Sequence, residues 1–600
     1  VWLIKTGILI FTDTEKVELA TENWQYTTMR EDESYGNEID FLNAFLQYER
    51  PSENTLIEDL KANLGEEALT QHPRLFLTKS DFDKHREHYK NGDDSLYSEI
   101  AKKYIEQADK FVANWKVPYA WDDFMRVTVH VSQKLTERFF ALGYAYQLTG
   151  GQKYVDAAYK LFEQTATYPD FNEAHVIDAG QTARALALGF DWLYTGFSDE
   201  QRLAAKKVVR DKALDSLAGG QYGRLMAEAT GMPSWQYFKR SSNFNGIING
   251  GVVAAAIATL EYDTDEALAY ISNSLRSLEY SMAMLPPSGG WSESIHYWSL
   301  NMDSVSDILA AMQCAFGNSD GLTEAQGMPT TIDYVINCLG VGGTNNYGDA
   351  QQEVIHSFDT FTYLGKALNN AAVKMRRDDL TETNGSDATQ RDIIYYDFSQ
   401  GASSAVSDSE DEFDPMLVTA GPEVVSFRDS FDFDKMQTYF SAHFGTTTGF
   451  HQQDDCGTFV LDLLGERWAY DLGMSDYLLQ NTGKYKGEQL YRVRAEGHNM
   501  IVLNPQNYTD AGLVTKSKVY APITEAKSSE YGGYVYTDMS EVYSREANSM
   551  KIGYYIDDNI SSVTYRNEFN VDKETDVMWS LHTKANITID NDAVYLSQNG

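Results

Sequence analysis

The sequence predicts an α+β multidomain protein, an N-terminal (α/α) toroid followed by an antiparallel β-sandwich. Three observations predict it: a helical hydrophobic period between Pro73 and Ala371, a polar acidic break after it, and apolar/polar alternation punctuated by turn residues beyond the break. At roughly 100–200 residues per domain, 600 residues imply two or three domains.

The helical part is read first. RFFALGYAYQL (138–148) carries apolar residues at three- and four-residue spacing and ends at Thr149-Gly150-Gly151, a composition suited to a helix C-terminus. KYVDAAYKLFEQTATY (153–168) and AGQTARALALGFDWLY (179–194) repeat the period. Ser198 and Gln201 stand in capping-box register ahead of QRLAAKKVVRDKALDSLA. GGVVAAAIATLEY (250–262) and DEALAYISNSLRSLEYSMAML (265–285) form another pair. Helix pairs on short loops without a strict repeat point to a toroid over residues 73–375 rather than a solenoid or bundle. Residues 376–414 are acidic (RRDDLTETNGSDATQ, SDSEDEFD) with a strand-like insert, IIYYDF, and read as a linker. From 415 to 600, TFVLDLLGERWAYDLG, HNMIVLN, GGYVYTDMSEVYS, KIGYYI and SVTYRNEFNV read as strands of a sandwich. The strand-like NITIDNDAVYLSQNG at Gly600 is expected to continue into further chain. Residues 1–72 read as an N-terminal extension; its apolar stretch Val1–Phe11 is either the remnant of a secretory signal or a strand.

Composition narrows the function. Hydrophobic residues at 42% and charged residues at 23% describe an ordinary folded chain and exclude disorder. No apolar run approaches the ~20 residues of a bilayer span. With 49 Lys and Arg against 88 Asp and Glu, the net charge of −39 argues against nucleic acid, which requires a basic footprint. Aromatics at 13% suit stacking on sugars and core packing equally. Cys314, Cys338 and Cys456 have neither metal-ligand spacing nor the number for a disulfide framework.

Three segments concentrate chemistry. In FHQQDDCGTFVLDLLGERWAYDLG (450–473), followed by Gly497-His498-Asn499, the residues His451, Asp471 and His498 fall at strand ends. Carboxylate and imidazole there make a candidate metal site; turn-forming Asp and Asn with a packed His498 is the alternative. PPSGGWSESIHYW (286–298) puts Trp291, Glu293, His296, Tyr297 and Trp298 at a helix entrance, either as a site or as a packed aromatic start. SSNFNGIINGG (241–251) presents Asn243, Asn245 and Asn249 ahead of a small-residue helix, as caps or as ligand-binding amides. Tyr347-Gly-Asp349 and Trp235–Arg240 are weaker candidates that read as structural first.

Taken together, NFNGIINGG, PPSGGWSESIHYW and FHQQDDCGTFVLDLLGERWAYDLG with its later GHN resemble the heparinase II/III-type polysaccharide lyases, over roughly Pro73 to the C-terminus. The resemblance implies an α/α toroid with a β-sandwich and β-elimination at a uronic acid. It implies that Asn245 contacts the substrate carboxylate, with Asn243 and Asn249 beside it. Tyr297 would be the acid, and at times the base, with His451 a base on the opposite face. Because a phenol with pKa near ~10 is a poor base, Lys239, Arg240, Arg492 and Arg494 are expected to lower it and to bind the polyanion. Trp291, Glu293, His296 and Trp298 complete the expected substrate contacts. The resemblance also implies a structural divalent metal on Asp471, His498 and the position of Gln453. Relatives have a His at that third position; an amide oxygen there is a weaker ligand for Zn²⁺, which leaves the site either empty or holding a harder ion such as Mn²⁺ or Ca²⁺. The expected partner is an anionic uronate polysaccharide of the glycosaminoglycan type (hyaluronan, chondroitin or heparan sulfate), met by a secreted or periplasmic protein. The alternatives are an alginate or oligoalginate lyase, a uronyl C5-epimerase, a glycoside hydrolase pairing Glu293 with Asp349 or Asp303, and a non-catalytic glycan-binding protein.

Overall fold

The protein is described by a computed structural model. It describes residues 8–12, 15–19, 53–121, 128–173, 175–218, 242–282, 284–319, 321–351, 376–378, 380–398, 415–430, 435–446, 451–474, 490–505, 519–529, 532–557, 562–590 and 593–598. Helices fill the first part: α1 (Lys79–Asn91), α2 (Ser95–Ala113), α3 (Val129–Thr149), α4 (Gln152–Ala166), α5 (Val176–Leu193), α6 (Asp199–Lys207), α7 (Asn243–Ala258), α8 (Thr264–Met282), α9 (Ser294–Phe316), α10 (Thr331–Asn337) and α11 (Gln390–Ile394). Their starts and stops obey local chemistry. Ser198 and Gln201 close the expected capping box on α6. Gly150, in the left-handed region at φ 69°, ends α3. One apolar core joins these helices, from Leu56 to Tyr395.

Strands follow. β1 (Ile8–Thr12) and β2 (Glu15–Leu19) form a hairpin near the N-terminus, so the second half of the Val1–Phe11 stretch is a strand. Next come β3 (Met416–Thr419), β4 (Val424–Arg428), β5 (Thr438–His443), β6 (Phe459–Leu463) and β7 (Glu466–Ala469), an antiparallel sheet in the order β7-β6-β5-β4-β3. β8 (Ile501–Leu503) pairs with β13 (Val577–Trp579). β9 (Glu525–Ser529), β10 (Gly532–Asp538), β11 (Ser549–Asp557) and β12 (Ser562–Asn570) form a second antiparallel sheet in that order. The hairpin of β14 (Asn586–Asp590) and β15 (Ala593–Ser597) closes the described chain. Along β11 the pleat is visible: Met550, Ile552, Tyr554 and Ile556 are buried while Lys551 and Tyr555 are exposed. Phe427, Phe440 and Phe459 of the first sheet share a core with Val535, Ile552 and Tyr554 of the second.

Two expectations are corrected. IIYYDF is not a strand: Thr389 and Asp392 make a capping box, α11 starts there, and Ile393, Ile394 and Tyr395 pack into the helical core. That portion of 376–414 is part of the packed body. The three Asn residues do not precede the small-residue helix but lie inside α7, whose N-cap is Ser242 with no side-chain cap bond. Among the described residues, no helix is long and apolar enough to cross a membrane.

Polar bonds lock the helical part to the first sheet. Asn337 Nδ2 donates to Thr419 Oγ1 at 2.7 Å, and Ser288 Oγ donates to the Ala420 carbonyl at 2.6 Å. Arg428 Nη2 donates to the Ile336 carbonyl at 2.8 Å, and Tyr439 OH to that of Asn337 at 2.9 Å. This seam brings the PPSGGWSESIHYW segment against the loop carrying His451.

Candidate active site

The site grows from the start of α9. Glu293 is its N-cap and is buried. Its Oε2 accepts from the Asn243 backbone N–H and Nδ2, both at 3.1 Å, and from Trp291 Nε1 at 3.2 Å. One carboxylate thus caps α7 from fifty residues away and ties it to α9. Burial pushes the Glu293 carboxyl above the usual range, with the charge of His451 and these hydrogen bonds opposing. The turn before α9 is held by two phenols: Tyr334 OH and Tyr347 OH both donate to the Trp291 carbonyl, at 3.2 and 3.1 Å.

One turn into α9, Tyr297 meets His451. Their rings stack with centroids 3.4 Å apart and planes within 8°. Tyr297 is 6% exposed and the His451 side chain 21%, so an edge of the pair reaches solvent. His296, partly exposed, stands edge-on to Tyr297. The expectation that phenol and imidazole face each other across a cleft is corrected: rings in van der Waals contact admit no sugar between them.

The loop 347–349 wraps the back of His451. Gly348, at φ +64°, has its Cα so close to the His451 carbonyl that a Cβ would sit 2.6 Å from that oxygen. The Asp349 backbone N–H donates to the His451 carbonyl at 2.8 Å. Asp349 Oδ2 lies 3.3 Å from His451 Nδ1, while Oδ1 accepts from Gln453 Nε2 at 2.9 Å and Arg492 Nη1 at 3.2 Å. Burial alone would raise the Asp349 carboxyl, yet the bonds from His451 and Gln453 hold it below its ordinary value. Beneath lies a buried polar layer. His498 Nδ1 and Asp471 Oδ2 are 2.8 Å apart; burial disfavours the imidazolium, but Asp471 outweighs it and raises His498 to about 9. Asp455 accepts from the Gly348 N–H at 2.6 Å, and His443 stacks on Tyr347.

The other expected residues fall as follows. Asn245 Nδ2 donates to the Ser277 carbonyl and Oγ, both at 3.1 Å, and Asn249 Nδ2 to Ser277 Oγ at 2.9 Å, so both amides are buried against α8 and Asn243 is the one beside Glu293. Trp298 is fully buried, donating to Thr331 Oγ1 at 2.7 Å, and Trp291 is buried too; both are core, not sugar platforms. Arg492 is buried on Asp349 and the Gly473 carbonyl, and Arg494 pairs with Glu496 at 3.1 Å. Neither is a cation held out towards a polymer. Lys239, Arg240 and the Trp235 segment lie outside the described residues.

The expected metal ligands are held by hydrogen bonds within the protein, while His498 Nε2 and Gln453 Oε1 are buried without a hydrogen-bond partner among the described residues. Asp471 and His498 hydrogen-bond each other directly, Asp471 Oδ2 also accepts from Thr458 Oγ1, and Oδ1 from the Gly473 N–H. Gln453 turns its donor, not its acceptor, towards Gly348, Asp349 and Gly473. Among the described residues, no group of three His, Cys, Asp or Glu converges as a metal site. Asp349 is the site residue that sequence reading placed among structural groups. It is 102 residues from His451, and the sequence marked it only by its place after a turn glycine and as an alternative hydrolase partner of Glu293.

No family model and no curated protein sequence matches the chain. Solved structures do. A mutant of heparan sulfate lyase HepC from Pedobacter heparinus has a TM-score of 0.54 at 14% identity, covering 94% of this chain and 80% of that one. HepC itself gives 0.51 at 13%, over 91% and 78%. A heparinase III structure gives 0.52 at 14%, over 93% and 84%. The chain therefore has the fold of heparinase-type polysaccharide lyases.

Proposed function

We propose that this protein is a polysaccharide lyase that cleaves uronate-containing polysaccharide, of the glycosaminoglycan type, by β-elimination. The helices of 73–375 would form the toroid and residues 415–600 the sandwich, with 376–414 joining them and 1–72 an extension. The observation that carries the reading is the Tyr297–His451 stack, backed by Asp349, at the seam between the two parts. With Nδ1–H directed to Asp349, His451 keeps a lone pair on Nε2 to take the C5 proton. As the C4–O bond breaks and the C4–C5 double bond forms, the Tyr297 hydroxyl protonates the departing oxygen. The imidazolium and phenolate left behind are in contact, so each stabilises the other until the proton passes between them. Asn243, held by Glu293, whose carboxyl burial raises above its ordinary value, would neutralise the substrate carboxylate, with Asn245 supporting the same helix turn. The Glu293–Asp349 hydrolase pairing gains nothing, because both Asp349 oxygens are engaged by groups of the protein itself. A polymeric substrate is consistent with a secreted or periplasmic protein.

The test is ultraviolet absorbance with hyaluronan, chondroitin sulfate, heparan sulfate and alginate. Elimination creates a conjugated unsaturated uronate, so a rise identifies both the reaction and the polymer. Tyr297→Phe should lower turnover at least 10²-fold while polymer binding stays near that of the unaltered protein. Full activity in that variant removes Tyr297 from the mechanism. Flat traces on all four polymers, each bound, would replace the lyase with an epimerase or a glycan-binding protein.

A further inference from the structure

We infer that Asp349 is the positioning residue for His451, and that Arg492 and Gln453 serve this site by holding Asp349. The inference rests on the reading of His451 as the base. It follows from how the two carboxylate oxygens are divided. Oδ1 is saturated by two buried donors, Gln453 Nε2 at 2.9 Å and Arg492 Nη1 at 3.2 Å, which leaves Oδ2 for the imidazole. A carboxylate only accepts, so the ring nitrogen facing it must carry the hydrogen, and the tautomer with an unprotonated Nε2 is selected. Backbone contacts make the arrangement rigid. His451 is a non-glycine residue at φ 60°, a conformation that persists only when its surroundings hold it. The Asp349 N–H bonded to its carbonyl and the close approach of Gly348 supply that hold. Arg492 and Gln453 are themselves anchored, donating to the Gly473 carbonyl at 3.1 and 3.4 Å. His451 is thus located by a buried polar scaffold drawn from four segments of the chain.

An Asn at 349 is nearly isosteric but offers Nδ1 a donor as readily as an acceptor, so the tautomer is no longer selected. Asp349→Asn should lower kcat by roughly 10²-fold on whichever polymer the protein cleaves, with KM within about threefold. In a His451→Ala background the same substitution should cost nothing more, because Asp349 acts through the ring. Losses that multiply in the double variant, or a matched change in kcat and KM that tracks a lowered Tm, would overturn the inference. Arg492→Met frees Oδ1 and should move kcat in the same direction by less, providing a second variant if Asp349→Asn folds poorly. A readout independent of turnover separates this inference from the lyase reading. In protein labelled with ¹⁵N-histidine, assigned with His451→Ala, the neutral His451 ring should show protonated Nδ1 and bare Nε2, and Asp349→Asn should shift it towards the other tautomer. An unchanged tautomer sinks the inference even in an active enzyme. A wild-type protein inactive on every polymer sinks the lyase reading and leaves the tautomer experiment to decide the positioning.

Discussion

His85 shows how one buried ring couples this protein to pH. It sits in the helical core with Nδ1 2.9 Å from the Tyr97 hydroxyl, and burial pushes its pKa down to about 3 from an ordinary 6.5. The unfolded chain therefore binds a proton near pH 6.5 that the folded chain refuses until about pH 3. Stability from this residue is fully present above pH 6.5 and drains as pH falls, at about 1.4 kcal/mol per pH unit for one proton. His85→Gln removes the effect, so urea unfolding should show a shallower loss of stability between pH 6.5 and 4 than in the unaltered protein. Equal slopes would mean that other groups dominate acid unfolding. The site itself was legible residue by residue only in part. Tyr297, His451 and Glu293 were marked by their motifs, whereas Trp298 and Arg492 carried the same apparent promise and are buried structural groups.

At the scale of elements, the α5–α7 crossing decides how near the Asn-bearing turn comes to its neighbours. A Cβ on Gly251 would stand 2.4 Å from the Gly180 carbonyl oxygen, and one on Gly180 2.7 Å from that of Ile247. Backbone packs on backbone here, so Gly251→Ala must part the helices, at a cost of about 1–3 kcal/mol. Chemical denaturation should show that loss; unchanged stability would mean the crossing opens freely. Element by element, the sequence was readable wherever the signal was local. The capping box at Ser198, the glycine after α3 and the alternation of β11 each depend on neighbours a few residues apart. It misled where a distant group intervened. The start of α7 has no cap of its own because Glu293 provides one. IIYYDF is read as a strand until the core that receives its side chains is seen.

The whole molecule carries a net charge of −39 and is proposed to act on a polyanion. Like charges slow encounter, and salt screens them: the Debye length shrinks from about 30 Å at 0.01 M to about 10 Å at 0.1 M. For such an enzyme kcat/KM should rise as NaCl is raised from about 10 to about 100 mM, opposite to a nucleic-acid-binding protein. A steep fall instead would reveal a local basic surface that overrides the overall charge.

The sequence by itself determined the succession of helices and then strands, because hydrophobic period, caps and turn residues act over a few residues and survive in any reading of the chain. It also marked Tyr297 and His451, whose motifs are dense enough to stand out. Only the tertiary structure decided that their rings stack rather than face, and that Asp349 with Gln453 and Arg492 stands behind the imidazole. Only it showed Asp471 and His498 bonded to each other. The physical reason is separation along the chain. These contacts join residues that become neighbours only after the helical core and the sheets dock, and no local pattern records which pairs that docking will bring together.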